Sequence, residues 1–81
     1  MIKSDEIAGR IDTMLKEIKP SLQFKADAHL RKDLKLDSLD VISLIFDLER
    51  EFGIKIPEKD VEEKELLNLS HLVQYIEGKT G

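Results

Sequence analysis

Ser38 is the residue whose setting most invites chemistry. It lies in Leu36-Asp37-Ser38-Leu39-Asp40, after a long irregular stretch and at the head of the strongest helical pattern in the chain. A serine in the first turn of a helix presents an accessible hydroxyl beside unpaired backbone N–H groups and the positive end of the helix dipole, a favourable place for a phosphate. Asp37 and Asp40 would repel an added phosphodiester somewhat, and would also give a basic partner something to read. Asp-Ser ahead of an apolar run is equally an ordinary helix start, with Asp37 as N-cap. On the dipeptide alone, capping is the simpler account.

Other chemistries lack their parts. No serine stands in G-x-S-x-G, and neither histidine, His29 or His71, is near Ser38 in sequence. Both read as surface histidines rather than as a base for a nucleophile. H-E-x-x-H, G-x-x-x-x-G-K and G-x-G-x-x-G do not occur. Asp33, Asp37 and Asp40 resemble the start of a calcium loop, but the glycine such a loop needs is missing and leucines stand between them. No metal site is expected. Paired carboxylates at a solvated helix start have no cavity to shift a pKa for acid–base work. The chain has no cysteine, which excludes disulfides, thiolate metal sites and a cysteine nucleophile and fits a reducing cytoplasm.

Helices must position Ser38. Ile7, Ile11, Met14, Leu15 and Ile18 recur at steps of three and four, predicting a helix from about Ser4 to Ile18. Ser4 is the expected N-cap, Asp5 and Glu6 suit the first turn, and Pro20 ends the segment. Residues 19–37 form a long connection, expected to be pinned by Phe24, Leu30, Leu34 and Leu36. From Ser38 to Phe52, Val41, Leu44, Ile45, Leu48 and Phe52 share one face, while Leu39, Ile42 and Phe46 extend the apolar arc to one side. An arc this wide implies several helical neighbours or an exposed strip for a partner. Gly53 suits the position just past the helix. Ile54-Lys55-Ile56-Pro57 reads as an extended linker with both isoleucines buried. A short helix follows over Glu58 to Glu65, then a last one over Leu69 to Glu77, capped by Asn68 or Ser70 and ended by Gly78. The expected fold is all-α, a four-helix bundle of three longer helices and one short one in a single domain over residues 1–81.

Charge narrows the partners. The net charge of −4 argues against nucleic acid, which needs a basic face. Residues 1–32 carry a net +2 (seven basic, five acidic) and residues 33–65 a net −6 (five basic, eleven acidic). The acidic middle could steer a basic partner. No apolar run approaches the roughly 20 residues of a membrane span. Met1 to Glu6 has no apolar core of a signal peptide.

The stretch Asp37-Ser38-Leu39-Asp40, followed by Leu44-Ile45-Phe46-Asp47-Leu48-Glu49-Arg50-Glu51-Phe52-Gly53-Ile54-Lys55-Ile56-Pro57, resembles bacterial acyl carrier proteins. The resemblance spans nearly the whole chain: leading helix, long loop, D-S-L helix, I-x-I-P linker, and a closing helix with Val73-Gln74-Tyr75-Ile76. It implies a four-helix bundle whose serine, here Ser38, receives phosphopantetheine from coenzyme A through a phosphopantetheinyl transferase. The arm's thiol then carries acyl groups as thioesters, so the domain needs no cysteine and catalyses nothing itself. The implied partners are the transferase and acyl-chain synthesising, loading and transferring enzymes, met as a monomer. By the same resemblance Asp37 assists the transferase by orienting the serine or helping to bind its metal ion. Leu39 and Phe46 are apolar partner contacts, with core packing as the alternative, and Asp40, Asp47 and Glu49 are acidic ones. Leu48, Ile56, Val61 and Leu66 are the expected lining of an acyl cavity.

The chain also departs from that family. Lys35 stands where the family usually has glycine, and Ser43 and Arg50 replace positions that are often acidic. These departures suggest a specialised carrier in polyketide or modified-lipid synthesis as readily as the housekeeping fatty-acid one. The start at Met1 and the full set of helices suggest a free-standing protein. An unmodified carrier-like helical interaction module is the alternative function; a small serine hydrolase is a third, which no motif supports.

Overall fold

The stripe of Ile7, Ile11, Met14 and Leu15 buries one face of α1 (Ser4–Ile18). The computed structural model describes residues 3–80. Met1 and Ile2, part of the stretch read above as lacking a signal sequence, and Gly81 lie outside the described residues. Three further helices follow: α2 (Ser38–Phe52), α3 (Glu58–Glu63) and α4 (Leu69–Thr80). α1 packs on both α2 and α4. Leu44 and Leu48 from α2 and Leu69, Leu72 and Ile76 from α4 are fully enclosed between them. Among the described residues every buried side chain is apolar. Truncating a leucine at such a site to alanine costs about 2–5 kcal/mol.

Capping chemistry sets the ends of α2. The Asp37 carboxylate accepts the Asp40 N–H at 2.8 Å. Gly53 turns left-handed at φ 64° and its N–H closes onto the Glu49 carbonyl. Three boundaries differ from the sequence reading. Lys3, in extended geometry and without a side-chain bond, precedes α1, so Ser4 is the first helical residue and not the cap. α3 stops at Glu63, because Glu65 is left-handed at φ 51° and the Leu66 N–H turns back to the Val61 carbonyl. α4 runs through Gly78, which keeps a helical backbone, and Thr80 Oγ1 donates to the Ile76 carbonyl at 3.0 Å. Asn68 caps α4 by accepting the His71 N–H at 3.2 Å. In the linker Ile56 is buried, whereas Ile54 is only half-buried.

The connection from α1 to α2 is pinned as an extra core element. Leu30 and Leu36 are buried, with Phe24 and Leu34 half-buried against the same core. The Leu30 N–H donates to the Leu67 carbonyl at 2.8 Å and the Leu69 N–H to the Ala28 carbonyl at 2.9 Å, tying this loop to the start of α4. Nearer α1, the Asp12 carboxylate accepts the Phe24 N–H at 2.7 Å. Bonds from Lys16 and then from Phe24 hold that carboxyl below the usual range.

Lys35 adopts φ 60° in the turn before α2. A side chain there costs about 1–2 kcal/mol relative to a relaxed backbone, which glycine avoids at some cost in unfolded-chain entropy. Lys35 is exposed, so its replacement disturbs no core packing. Lys35→Gly is therefore expected to stabilise the fold by about 1 kcal/mol, raising Tm by roughly 4–8 °C in a thermal melt. An unchanged or lower Tm would show that the lysine carries no such strain.

Candidate functional site

Ser38 is the first residue of α2, set there by the Asp37 cap. Helix geometry leaves the N–H groups of Ser38 and Leu39 without intrahelical acceptors. The side chain of Ser38 is exposed, and its Oγ accepts a hydrogen bond from Arg31 Nη1 at 2.7 Å. A guanidinium stays protonated and cannot accept the hydroxyl proton; it supplies positive charge and directed donors. Arg31 projects from a turn organised by His29. The His29 Nδ1 accepts the N–H groups of Arg31 and Lys32, each at 3.1 Å. Its backbone N–H donates to Asp33 Oδ2 at 2.7 Å. His29 thus shapes the turn with the nitrogen that a general base would need free. His71, on α4, places Nδ1 3.2 Å from the Glu65 carbonyl in the connection after α3.

Beside Ser38 an apolar cleft of about 490 Å³ opens between α2 and α3. Arg31 and Ser38 stand on its rim, and Val41, Ile42, Ile45 and Phe46 face Ile56 and Val61 across it. Two of the four residues expected to line an acyl cavity are therefore there. The other two are not: Leu48 and Leu66 are closed into the core at 0% and 1% exposure. Both belong to the buried cluster at the centre of the bundle, Leu48 from α2 and Leu66 from the connection between α3 and α4. A wider depression at the far end of α2, beside Gly53 and Ile54, does not reach Ser38.

α3 buries no residue, and Val61 is the apolar side chain by which it packs on the core. It is held instead by a polar contact, Tyr75 Oη donating to Asp60 Oδ2 at 2.5 Å. The sequence reading missed this contact, whose partners lie on different helices with no shared pattern. It also missed Arg31, which sits in a stretch without a period.

The remaining candidate residues separate by what they touch. Leu39, Ile42 and Phe46 are 74%, 48% and 60% exposed, so core packing does not account for them. They lie together on the outer side of α2, and Ile42 extends the predicted pair. Among the acidic candidates, Asp47 pairs with Arg50. Glu49 accepts the Ile56 N–H at 2.8 Å, which gives it a role in holding the linker. Asp40 is half-buried. Among the described residues no group of acidic and histidine side chains is placed to hold a metal ion.

Comparison with known proteins agrees with this architecture. The family described as "Phosphopantetheine attachment site" matches residues 6–76. An acyl carrier protein of Thermotoga maritima is 34% identical over 84 residues, covering 100% of both chains. One from Helicobacter pylori is 42% identical over 57 residues, 70% of each chain. A mitochondrial acyl carrier protein of Neurospora crassa is 33% identical over 78 residues, 93% of this chain and 57% of that one. The class is thus a helical domain with a phosphopantetheine attachment site. Within that class, the chain belongs to the acyl carrier proteins.

The residues present fit the group that defines the family. An exposed hydroxyl stands at a helix mouth, a cationic donor touches it, and an apolar cleft begins at its side. Phosphopantetheine supplies a long reach and a terminal thiol for thioester chemistry.

The Tyr75 contact holds α3, which forms one wall of the cleft. Burial first, then the bond to Asp60 and the charges of Asp60 and Glu49, push the Tyr75 hydroxyl up from 10.0 to about 12. Its pKa is higher folded than unfolded. The stabilisation is therefore complete below pH 10 and is lost as pH rises toward about 12. Tyr75 is the single tyrosine of the chain, so ultraviolet absorbance reads its titration directly. A midpoint near 12 is expected, moving toward 10 in Asp60→Asn. A midpoint near 10 in the unsubstituted protein would show that the contact does not hold in solution.

Proposed function

We propose that Ser38 is the attachment point and that the chain acts as one carrier domain for acyl groups held as thioesters on a phosphopantetheine arm. The observation that carries this reading is the exposed Ser38 hydroxyl at the head of α2, on the rim of an apolar cleft. In the loading reaction the Ser38 oxygen forms a bond to phosphorus and a pyrophosphate P–O bond of coenzyme A breaks, releasing adenosine 3′,5′-bisphosphate as the leaving group. The hydroxyl proton passes to a base of the transferase. Asp37 assists by fixing the helix start, where its carboxylate accepts the Asp40 N–H. The domain performs no catalysis of its own; it presents and shelters the bound group.

Partner enzymes are the phosphopantetheinyl transferase and those that synthesise, load and transfer acyl chains. Their docking site is the exposed strip of Leu39 and Phe46 with Ile42, flanked by Asp40, Asp47 and Glu49. Apolar anchors of this kind carry binding energy, while rim charges tune partner choice. The protein works as a monomer in the cytoplasm, and Ser43 and Arg50 on α2 suit the partners of a specialised acyl pathway. No helix among the described residues is long and apolar enough to cross a membrane.

Intact mass before and after incubation with a transferase and coenzyme A is the test. A gain of one phosphopantetheine, absent in Ser38→Ala, is expected. No gain, with a transferase active on another carrier, would sink the reading and leave an unmodified interaction module. Phe46→Asp should slow loading by about ten-fold, equivalent to about 1.4 kcal/mol of lost docking. Stability should change by less than about 0.5 kcal/mol, since Phe46 is exposed. Equal loading rates would remove Phe46 from the docking surface.

A further inference from the structure

We propose that Arg31 is a positioning residue for the arm. Its guanidinium holds the phosphodiester on Ser38 and leans the arm over the cleft between α2 and α3. This inference rests on Ser38 being the attachment point. Arg31 Nη1 already lies 2.7 Å from Ser38 Oγ, the atom that would be bonded to phosphorus. The non-bridging oxygens would be two bonds from that atom, within reach of the planar fork that suits phosphate oxygens.

The charge of Arg31 is available. Among the described residues the ion pairs are Arg10–Glu51, Lys16–Asp12, Arg50–Asp47 and Lys59–Glu63, and Arg31 is in none of them. A phosphodiester on Ser38 would add a negative charge between Asp37 and Asp40, and an adjacent guanidinium offsets that repulsion. The backbone of Arg31 is fixed. Leu30 before it is fully buried and bonded to Leu67, and the Arg31 N–H itself is held by His29.

Direction follows from where Arg31 stands. It shares the rim of the cleft with Ser38, opposite Glu58 and Glu62 of α3. A phosphodiester drawn toward Arg31 starts the arm toward the apolar walls of Val41, Ile45 and Val61. Released from Arg31, the arm leaves from the exposed end of α2. Arg31 thereby sets the balance between the sheltered arm and the presented one.

The test compares the loaded protein with loaded Arg31→Gln and Arg31→Lys. Each is prepared with transferase and coenzyme A, checked by intact mass, and checked for helix content by circular dichroism. In Arg31→Gln the phosphorus NMR line is expected to move toward that of a phosphopantetheinyl serine peptide. The docked population, read from nitrogen relaxation of the arm amides, should fall by about two- to five-fold, the size of an exposed charge pair. Arg31→Lys, which keeps the charge but not the fork, should lie between. If all three proteins load but the phosphorus line and arm mobility are unchanged, Arg31 does not hold the arm and the attachment reading stands. If the unsubstituted protein gains no mass, both fall. If Arg31→Gln alone resists loading, the guanidinium serves the transferase, and the proposal is overturned.

Discussion

The burial of Leu30 and Leu36 on either side of an exposed turn is the constraint on which the functional end of the molecule depends. Both leucines enter the core, and the backbone of Leu30 is hydrogen-bonded to the segment before α4. Apart from the half-buried Leu34, the residues between them are therefore pushed to the surface as a fixed arch. Arg31 and Lys35 stand on that arch, and Asp37 and Ser38 follow directly. Without those two anchors, the long connection would carry Arg31 past Ser38 with no preferred distance. With them, a loop supplies a side chain with the placement usually reserved for helices. The strained backbone of Lys35 is a consequence of the same arch, which must reverse quickly enough to start α2.

The two walls of the cleft are built to different standards. α2 is rooted by Leu44 and Leu48 in the centre of the bundle and capped at both ends. α3 is six residues long, buries none of them, and relies on Val61 packing and the Tyr75–Asp60 contact. Few buried contacts mean a low free energy of local opening. Were the cleft to take a guest, one fixed wall and one lightly held wall would let it adapt without loss of the main core. The polar pin adds no apolar bulk to the cleft, because it is a single hydrogen bond to Tyr75.

Much of this was legible in the sequence, for identifiable reasons. α1 and α2 declare themselves by apolar period, and Asp37 and Gly53 mark the ends of α2 through cap chemistry that depends on local backbone alone. Lys35 stood out as a residue at a glycine position, and its positive φ supplies the physical content of that departure. What could not be read depends on how elements meet. Leu48 and Leu66 are the same residue type as a cleft-lining leucine would be; only the assembled bundle closes them into the core. Glu49 reads as a surface acid until the linker folds back and presents the Ile56 N–H to it. Gly78 reads as a stop, yet glycine permits a helix to end without requiring it. The Arg31–Ser38 contact spans an aperiodic loop, where spacing says nothing about distance.

The surface of α2 shows how the same helix can keep its fold and change its company. Leu39, Ile42 and Phe46 make a continuous apolar strip, but the acidic residues near it are only partly free. Asp47 is engaged by Arg50, and Glu49 by the linker backbone. A carboxylate already in a hydrogen bond has part of its acceptor capacity taken and its orientation fixed, so its net gain from a basic partner is reduced. Long-range attraction is not cancelled in the same way, because the net charge of −6 over residues 33–65 still draws basic surfaces toward this side. On the proposed docking surface, encounter and docking would thus be governed by different residues. Charge would bring a basic partner near, and the shape of the apolar strip would decide whether it stays.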